Sequence, residues 1–234
     1  MVLANKNAMI TGASGGLGEQ IALRLASEGC GLFLLGRNEE KLHKVSVAIQ
    51  QEYPSVNIKK EVVDFAHTSD LKSFLSKDIT VDILINCAGV FPVKSLCDST
   101  VEDYTACFDI NVKAPFLLSN KFAQGMKQRK WGRIVNIGSS SSYAGSPETG
   151  LYCASKHALL GLSRSQYLEL KPYDVRVFSV SPGSIQTEMG ATVPQQDFST
   201  FMKAEEIADY IIYIIKFDNE MISEEVRVNR IRIQ

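Results

Sequence analysis

Short apolar runs alternate with longer segments of helical period along nearly the whole chain. Residues 8–11, 32–35, 58–63, 83–86, 133–137, 176–180 and 226–233 are rich in aliphatic and β-branched side chains and predict seven strands. Between them, residues 16–28, 39–52, 69–75, 101–128, 151–171 and 204–217 place apolar positions three and four apart, which predicts amphipathic helices. Runs such as Leu32-Phe33-Leu34-Leu35 and Asp82-Ile83-Leu84-Ile85 do not alternate, as expected of strands covered on both faces. Strand–helix alternation on this scale predicts right-handed βαβ units in an α/β, doubly wound parallel sheet of about seven strands, with helices on both faces. No repeat or linker divides the chain, so residues 1–234 are expected to form a single domain. Residues 186–202 have no clear period and are long for a connection, which makes them a candidate substrate lid. In the last strand Val226 and Val228 share one phase, whereas Ile231 and Ile233 take the other, so a bulge is expected near Asn229.

Composition narrows the function classes. Lys and Arg number 25 against 26 Asp and Glu, a net charge of −1, which supplies no global field for nucleic acid or an acidic membrane surface. The five cysteines, at 30, 87, 97, 107 and 153, form no CxxC pair, and His43, His67 and His157 lack ligand spacing. Neither a disulfide framework nor a metal site is expected. The first ten residues do not read as a secretory leader, and no stretch of 18 uncharged apolar residues occurs. A cytoplasmic protein is the expectation.

Between the first strand and the first helix lies Thr11-Gly12-Ala13-Ser14-Gly15-Gly16-Leu17-Gly18. A bound pyrophosphate needs close backbone approach and free N–H donors at a helix N-terminus, and this position in a βαβ unit offers both. The segment is therefore read as the dinucleotide turn of a Rossmann fold. It lacks the Gly-Lys-[Ser/Thr] of a Walker loop. The second strand ends Leu35-Gly36-Arg37-Asn38-Glu39, with a guanidinium where an acidic residue would bind the ribose of NAD. Arg37 suits a 2′-phosphate, so NADP(H) is the expected cofactor, with Asn38 capping the following helix.

Tyr152 and Lys156 stand four apart near the start of a helix, so both project from one face. A phenol of ordinary pKa ~10 is a poor proton donor at neutral pH. An ammonium one turn away, together with a positive nicotinamide, is expected to pull it toward the working range. The serine run 139–142 follows a strand end, on the edge where open α/β sheets bind ligands; composition alone does not choose among the four. Pro115, four residues after Asn111, cannot donate to the Asn111 carbonyl, so the long helix from Val101 is expected to kink there. Tyr143 lacks a lysine one turn on, and His157 points about 100° away from Lys156.

These motifs, with Asp64, Asn86-Cys87-Ala88-Gly89 and Pro182-Gly183-x-x-x-Thr187, resemble the short-chain dehydrogenases/reductases, in order from about residue 4 to 190. The resemblance implies nicotinamide-dependent interconversion of a carbonyl and a secondary alcohol in a small or acyl substrate. It selects Ser139, thirteen residues before the tyrosine, to hold the substrate oxygen. It makes Tyr152 the general acid/base and Lys156 the ribose ligand, and lets the Asn111 main chain hold a water linking the lysine to solvent. It assigns Gly12, Ser14, Gly15, Gly16, Leu17, Gly18, Arg37, Asp64, Phe65, Asn86, Ala88, Gly89, Pro182, Gly183, Ile185 and Thr187 to the cofactor, alongside Tyr152 and Lys156. Cys87 replaces a more usual asparagine. Relatives pair through helices matching 101–128 and 151–171, which implies a homodimer or homotetramer.

Phe91, Pro92, Tyr143, Met189, Val193, Phe198 and Phe201 are the expected pocket lining, with Glu148 and Glu188 the nearest acids. The C-terminal stretch from Ile222 resembles the branch acting on hydroxy acids, ketones and 3-oxoacyl compounds. A non-catalytic NADP-binding sensor or scaffold on the same fold is the alternative, disfavoured by the complete Ser139, Tyr152 and Lys156 set.

Overall fold

The computed structural model describes residues 2–193 and 196–231. Seven strands form one sheet: β1 (Asn7–Thr11), β2 (Gly31–Gly36), β3 (Ile58–Val62), β4 (Ile83–Asn86), β5 (Gly132–Ile137), β6 (Val175–Pro182) and β7 (Glu225–Val228). Their order is β3-β2-β1-β4-β5-β6-β7, and every pair is parallel. Ile10 pairs with Leu34 on one side and Ile85 on the other, so the strand order reverses at β1 and β4. A crevice at the carboxyl ends of those two strands follows from that reversal.

The helices are α1 (Gly16–Ser27), α2 (Glu39–Glu52), α3 (Thr68–Leu75), α4 (Val101–Phe108), α5 (Ala114–Arg129), α6 (Gly150–Leu170) and α7 (Ala204–Ile215). Ile21 and Leu25 of α1, Leu42, Val45 and Ile49 of α2, and Ile207, Ile211 and Ile214 of α7 share one core with the sheet. Leu71 and Phe74 of α3, Leu118, Phe122 and Met126 of α5 and Leu170 of α6 share the other. The sheet is covered on both faces, and β4 and β5 are buried along their whole length, as their unbroken apolar runs require.

Asn38 caps α2, its Oδ1 accepting the Lys41 backbone N–H at 2.9 Å, with Glu39 and Glu40 in the first turn. The segment expected to be one long kinked helix from Val101 is instead α4 and α5 joined by a π turn, Asp109–Lys113. Pro115 supplies no N–H, and the chain accommodates it by widening one turn; the Ala114 N–H bonds the Asp109 carbonyl. The last strand is shorter than expected. It ends at Val228, so no bulge forms at Asn229, and Ile231 is fully exposed. Ile233 lies outside the described residues. Among the described residues no helix is long and apolar enough to cross a membrane, and no group of three His, Cys, Asp or Glu could hold a metal ion.

Candidate active site

A cavity of about 660 Å³ opens at the carboxyl edge of the sheet, between the glycine turn, the ends of β2, β4 and β5, the start of α6 and the segment after β6. Thr11 fixes its floor. Its Oγ1 accepts the backbone N–H groups of Cys87 and Ala88, each at 3.0 Å, and ties the end of β1 to the end of β4. Gly12 turns the chain with φ +67, and a Cβ there would lie 2.9 Å from Ala88 Cα. Gly15, at the start of α1, differs: a Cβ there would meet no protein atom within 4 Å, and the residue faces the cavity. The first turn of α1 therefore presents its free N–H groups to open space.

Ser14, Leu17, Gly18, Arg37, Asp64 and Phe65 line the same cavity, as do Ala88, Gly89, Pro182, Gly183, Ile185 and Thr187. Arg37 is exposed at the rim and has no hydrogen-bond or ion-pair partner among the described residues. Asp64 does not cap α3; its Oδ1 accepts the Ala66 N–H at 2.9 Å, and His67 occupies the cap position. Asn86 is not brought into the cavity. As the last residue of β4 it turns its side chain away from the cavity, where Nδ2 donates to Asn136 Oδ1 of β5 at 2.8 Å and to Ser119 Oγ of α5 at 3.3 Å. The backbone reaches the cavity one residue later, from Cys87 to Val90. Burial pushes the Cys87 thiol up to about 12, so it stays protonated.

Ser139, Tyr152 and Lys156 all face this cavity, and all three are buried. Ser139 starts the turn after β5, its Oγ accepting the Ser141 N–H at 3.1 Å. The Tyr152 ring packs edge-on against Phe91, with centroids 4.7 Å apart. Lys156 Nζ lies 5.7 Å from the Tyr152 ring centroid and donates to the Ile137 carbonyl at 2.8 Å. Burial pushes the Tyr152 phenol up to about 12, against a lowering effect of the Ser139 hydroxyl. Burial also brings Lys156 down to about 8, offset in part by Cys87 and Cys107. The expected lowering of the phenol is thus not produced by the protein's own groups, because desolvation outweighs the Ser139 hydrogen bond.

Asn111 does not line the cavity; it braces the wall. Its Oδ1 accepts the Val90 N–H at 2.9 Å, and its Nδ2 donates to the Val90 carbonyl and to Ser155 Oγ, both at 3.0 Å. Ser155 in turn donates to the Tyr152 carbonyl at 2.7 Å, so Asn111 links the strip after β4 to the helix bearing the tyrosine.

Of the expected lining residues, Phe91, Met189 and Val193 are present, and Pro92, Tyr143, Phe198 and Phe201 are not. Tyr143 donates to Glu225 Oε1 at 2.9 Å, drawn aside by the carboxylate that Arg164 also grips. Phe198 and Phe201 pack on each other, centroids 5.3 Å apart, and Phe201 is buried. His157 bonds the Cys153 carbonyl within its own helix. Sequence reasoning did not place Lys41 at the site, and it put Thr11 in the glycine turn without the role of tying β1 to β4. Thr11 carried a signal, as a hydroxyl closing an otherwise apolar buried strand, and Lys41 another, as a cation in the first turn after Arg37.

Residues 6–197 match the short chain dehydrogenase family. The 3-oxoacyl-(acyl-carrier-protein) reductase FabG of Rickettsia prowazekii is 35% identical over 187 residues, 80% of this chain and 76% of that protein. A metagenomic short-chain oxidoreductase crystallised in complex with NADP superposes with a TM-score of 0.86 at 30% identity, covering 99% of this chain and 100% of that one. A short-chain dehydrogenase from Sphingobium yanoikuyae in complex with NADPH gives 0.84 at 28% identity, covering 96% and 87%. With a seven-stranded doubly wound sheet, a glycine turn at its switch point and Ser139, Tyr152 and Lys156 around one cavity, the chain belongs to the short-chain dehydrogenase family.

Proposed function

We propose that this protein is an NADP(H)-dependent oxidoreductase that interconverts a carbonyl and a secondary alcohol, with Tyr152 as general acid/base. One observation carries the reading: Ser139, Tyr152 and Lys156 face the same cavity as the glycine turn and Arg37. The residues fit a dinucleotide phosphate. Gly15 leaves room for a pyrophosphate that a Cβ would fill, and Arg37, just after β2, offers a guanidinium without a partner among the described residues. The NADP and NADPH bound by the two structural relatives agree with that choice.

The nicotinamide, when bound, supplies the hydride donor or acceptor and, oxidised, a positive charge. Reduction of a carbonyl needs one hydride at carbon and one proton at oxygen. Tyr152 gives that proton from its phenol, and takes it back in the oxidation direction. Ser139 hydrogen-bonds the substrate oxygen and holds it at the phenol. Lys156, anchored on the Ile137 carbonyl, places a cation beneath the phenol and reaches the ribose. Asn111 positions α6 through Ser155 and Val90, and its main-chain carbonyl, which Pro115 cannot bond, holds the water that returns protons to Lys156. Phe91 excludes water from one side of the tyrosine ring.

Residues 186–202 act as the substrate lid. A parallel bridge of Ile185 with Met202 pins the base of this excursion, and Met189, Val193 and Gln196 reach the cavity from it. The apolar character of Phe91, Met189 and Val193 favours a ketone or acyl substrate over a strongly anionic one. A homodimer or homotetramer is part of this reading, since Val101, Tyr104, Phe116 and Leu168 leave apolar surface exposed on α4, α5 and α6. So is a cytoplasmic site of action. The test is NADPH consumption against a panel of ketones, diketones and 3-oxoacyl thioesters. Turnover on at least one supports the reading; binding of NADPH with consumption on none would favour the sensor instead.

A further inference from the structure

Lys41 and Glu188 form an ion pair across the mouth of the cavity, Nζ lying 2.7 and 2.8 Å from the two carboxylate oxygens. Lys41 sits in the first turn of α2, after β2, and Glu188 in the segment after β6. Three strands, β1, β4 and β5, separate β2 from β6 in the sheet, so this contact spans the crevice where the cofactor is proposed to lie. Arg37, Asn38, Lys41 and Glu188 all line it.

We propose that Lys41 is a second reader of the cofactor's 2′-phosphate beside Arg37, and that Glu188 is the internal anion from which the phosphate takes it. The inference rests on the NADP(H) reading and extends it to two residues at the rim of the cavity. A phosphate monoester carries about −1.5 to −2 charge at neutral pH and three acceptor oxygens. One guanidinium leaves part of that charge unmatched, and Lys41 is the nearest other cation along the chain. Its backbone is fixed for the task, since Asn38 Oδ1 holds the Lys41 N–H at 2.9 Å.

The pair is built to exchange. Its side chains are 46% and 87% exposed, and pairs so open to solvent contribute little to stability. A more highly charged anion that also gains Arg37 therefore displaces the carboxylate. Lys41 holds Glu188 below the usual carboxylate range, so the competitor stays ionised at neutral pH. NADH, with a ribose hydroxyl in place of the phosphate, has nothing to offer Lys41 and leaves the pair closed. Glu188 thereby weakens the NADPH complex and Lys41 strengthens it, while neither touches the NADH complex.

The test is a double-mutant cycle read as equilibrium binding of NADPH and NADH, followed by the fluorescence of the reduced cofactor. Both side chains are on the surface, so K41Q and E188Q are expected to fold normally. K41Q should weaken NADPH about tenfold and NADH less than twofold. E188Q should tighten NADPH about threefold, and that gain should vanish in the K41Q/E188Q double variant, since it acts through Lys41. Equal weakening of both cofactors by K41Q, or a gain from E188Q that persists without Lys41, overturns the exchange. A wild type that prefers NADPH, loses the preference in R37A and keeps it in K41Q overturns this inference alone. A wild type binding NADPH no tighter than NADH overturns the cofactor reading as well.

Discussion

Gly18 stands so close to Gly12 that a Cβ on it would lie 2.2 Å from the Gly12 carbonyl oxygen, whereas a Cβ on Gly15 would meet no protein atom within 4 Å. Neighbouring glycines of one turn thus answer to different demands, Gly18 to the packing of α1 on the turn that follows β1 and Gly15 to whatever enters the cavity. Gly18→Ala is expected to destabilise the fold by about 1–3 kcal/mol through overpacking. Gly15→Ala should stay within about 1 kcal/mol of wild type, because its φ of 162 is ordinary extended backbone and the lost helix cap is offset by a stiffer unfolded chain. It should nevertheless weaken NADPH at least tenfold. Thermal unfolding and cofactor titration of the two variants separate the roles.

Arg37 tests the choice of dinucleotide. Without a partner among the described residues, its removal leaves no buried charge behind. Arg37→Ala should keep wild-type stability within about 0.5 kcal/mol, as expected for a surface substitution. Loss of a charge-assisted contact to a phosphate, on the order of 1.5–3 kcal/mol, should weaken NADPH by about ten- to a hundredfold and NADH by less than threefold. Equal weakening of both would remove Arg37 from the 2′-phosphate site.

Lys156 links the site to stability. Its folded-state pKa is depressed to about 8 from an ordinary 10.5, so between those values the unfolded chain binds a proton that the folded chain does not. Stability then rises with pH across that window. Lys156→Met removes the group, and the stability difference between variant and wild type should shift in favour of wild type by on the order of 2–3 kcal/mol as pH goes from 7.5 to 10.5. Denaturant unfolding at a series of pH values reads this directly. A difference independent of pH would mean that Lys156 titrates as an ordinary lysine.

Much of this fold was legible because the signals are local or periodic. The apolar run at 83–85 marks a doubly covered strand, and it is buried throughout as part of β4. Asn38, Glu39 and Glu40 announce the start of α2, and Asn38 caps it. Glycines 12 to 18 place the turn at the switch point without knowledge of the sheet order. Less was legible where a side chain's direction depends on its last half-turn of backbone. Asn86 ends a strand facing α5, while Cys87, one residue on, faces the cavity. Pro115 predicted a disturbance at Asn111, but the π turn it takes accompanies side-chain bonds of Asn111 to Val90 and Ser155, contacts 21 and 44 residues away in sequence that no local pattern reveals. Tyr143 and the Lys41–Glu188 pair were hidden for the same reason: their partners, 82 and 147 residues distant, are chosen by the sheet order and by no local pattern.

Tyr152 carries the central claim. Its phenol, pushed up to about 12 by burial, remains protonated across the neutral range and can give a proton to a reacting oxygen. The most direct measurement is single-turnover oxidation of NADPH, in wild type and Tyr152→Phe, with a ketone or 3-oxoacyl thioester that the wild type reduces, alongside the NADPH dissociation constant of each. Loss of the proton donor should slow the hydride step by about 10²–10⁴-fold while changing cofactor affinity less than threefold. A Phe variant that oxidises NADPH at the wild-type rate would contradict the proposed chemistry.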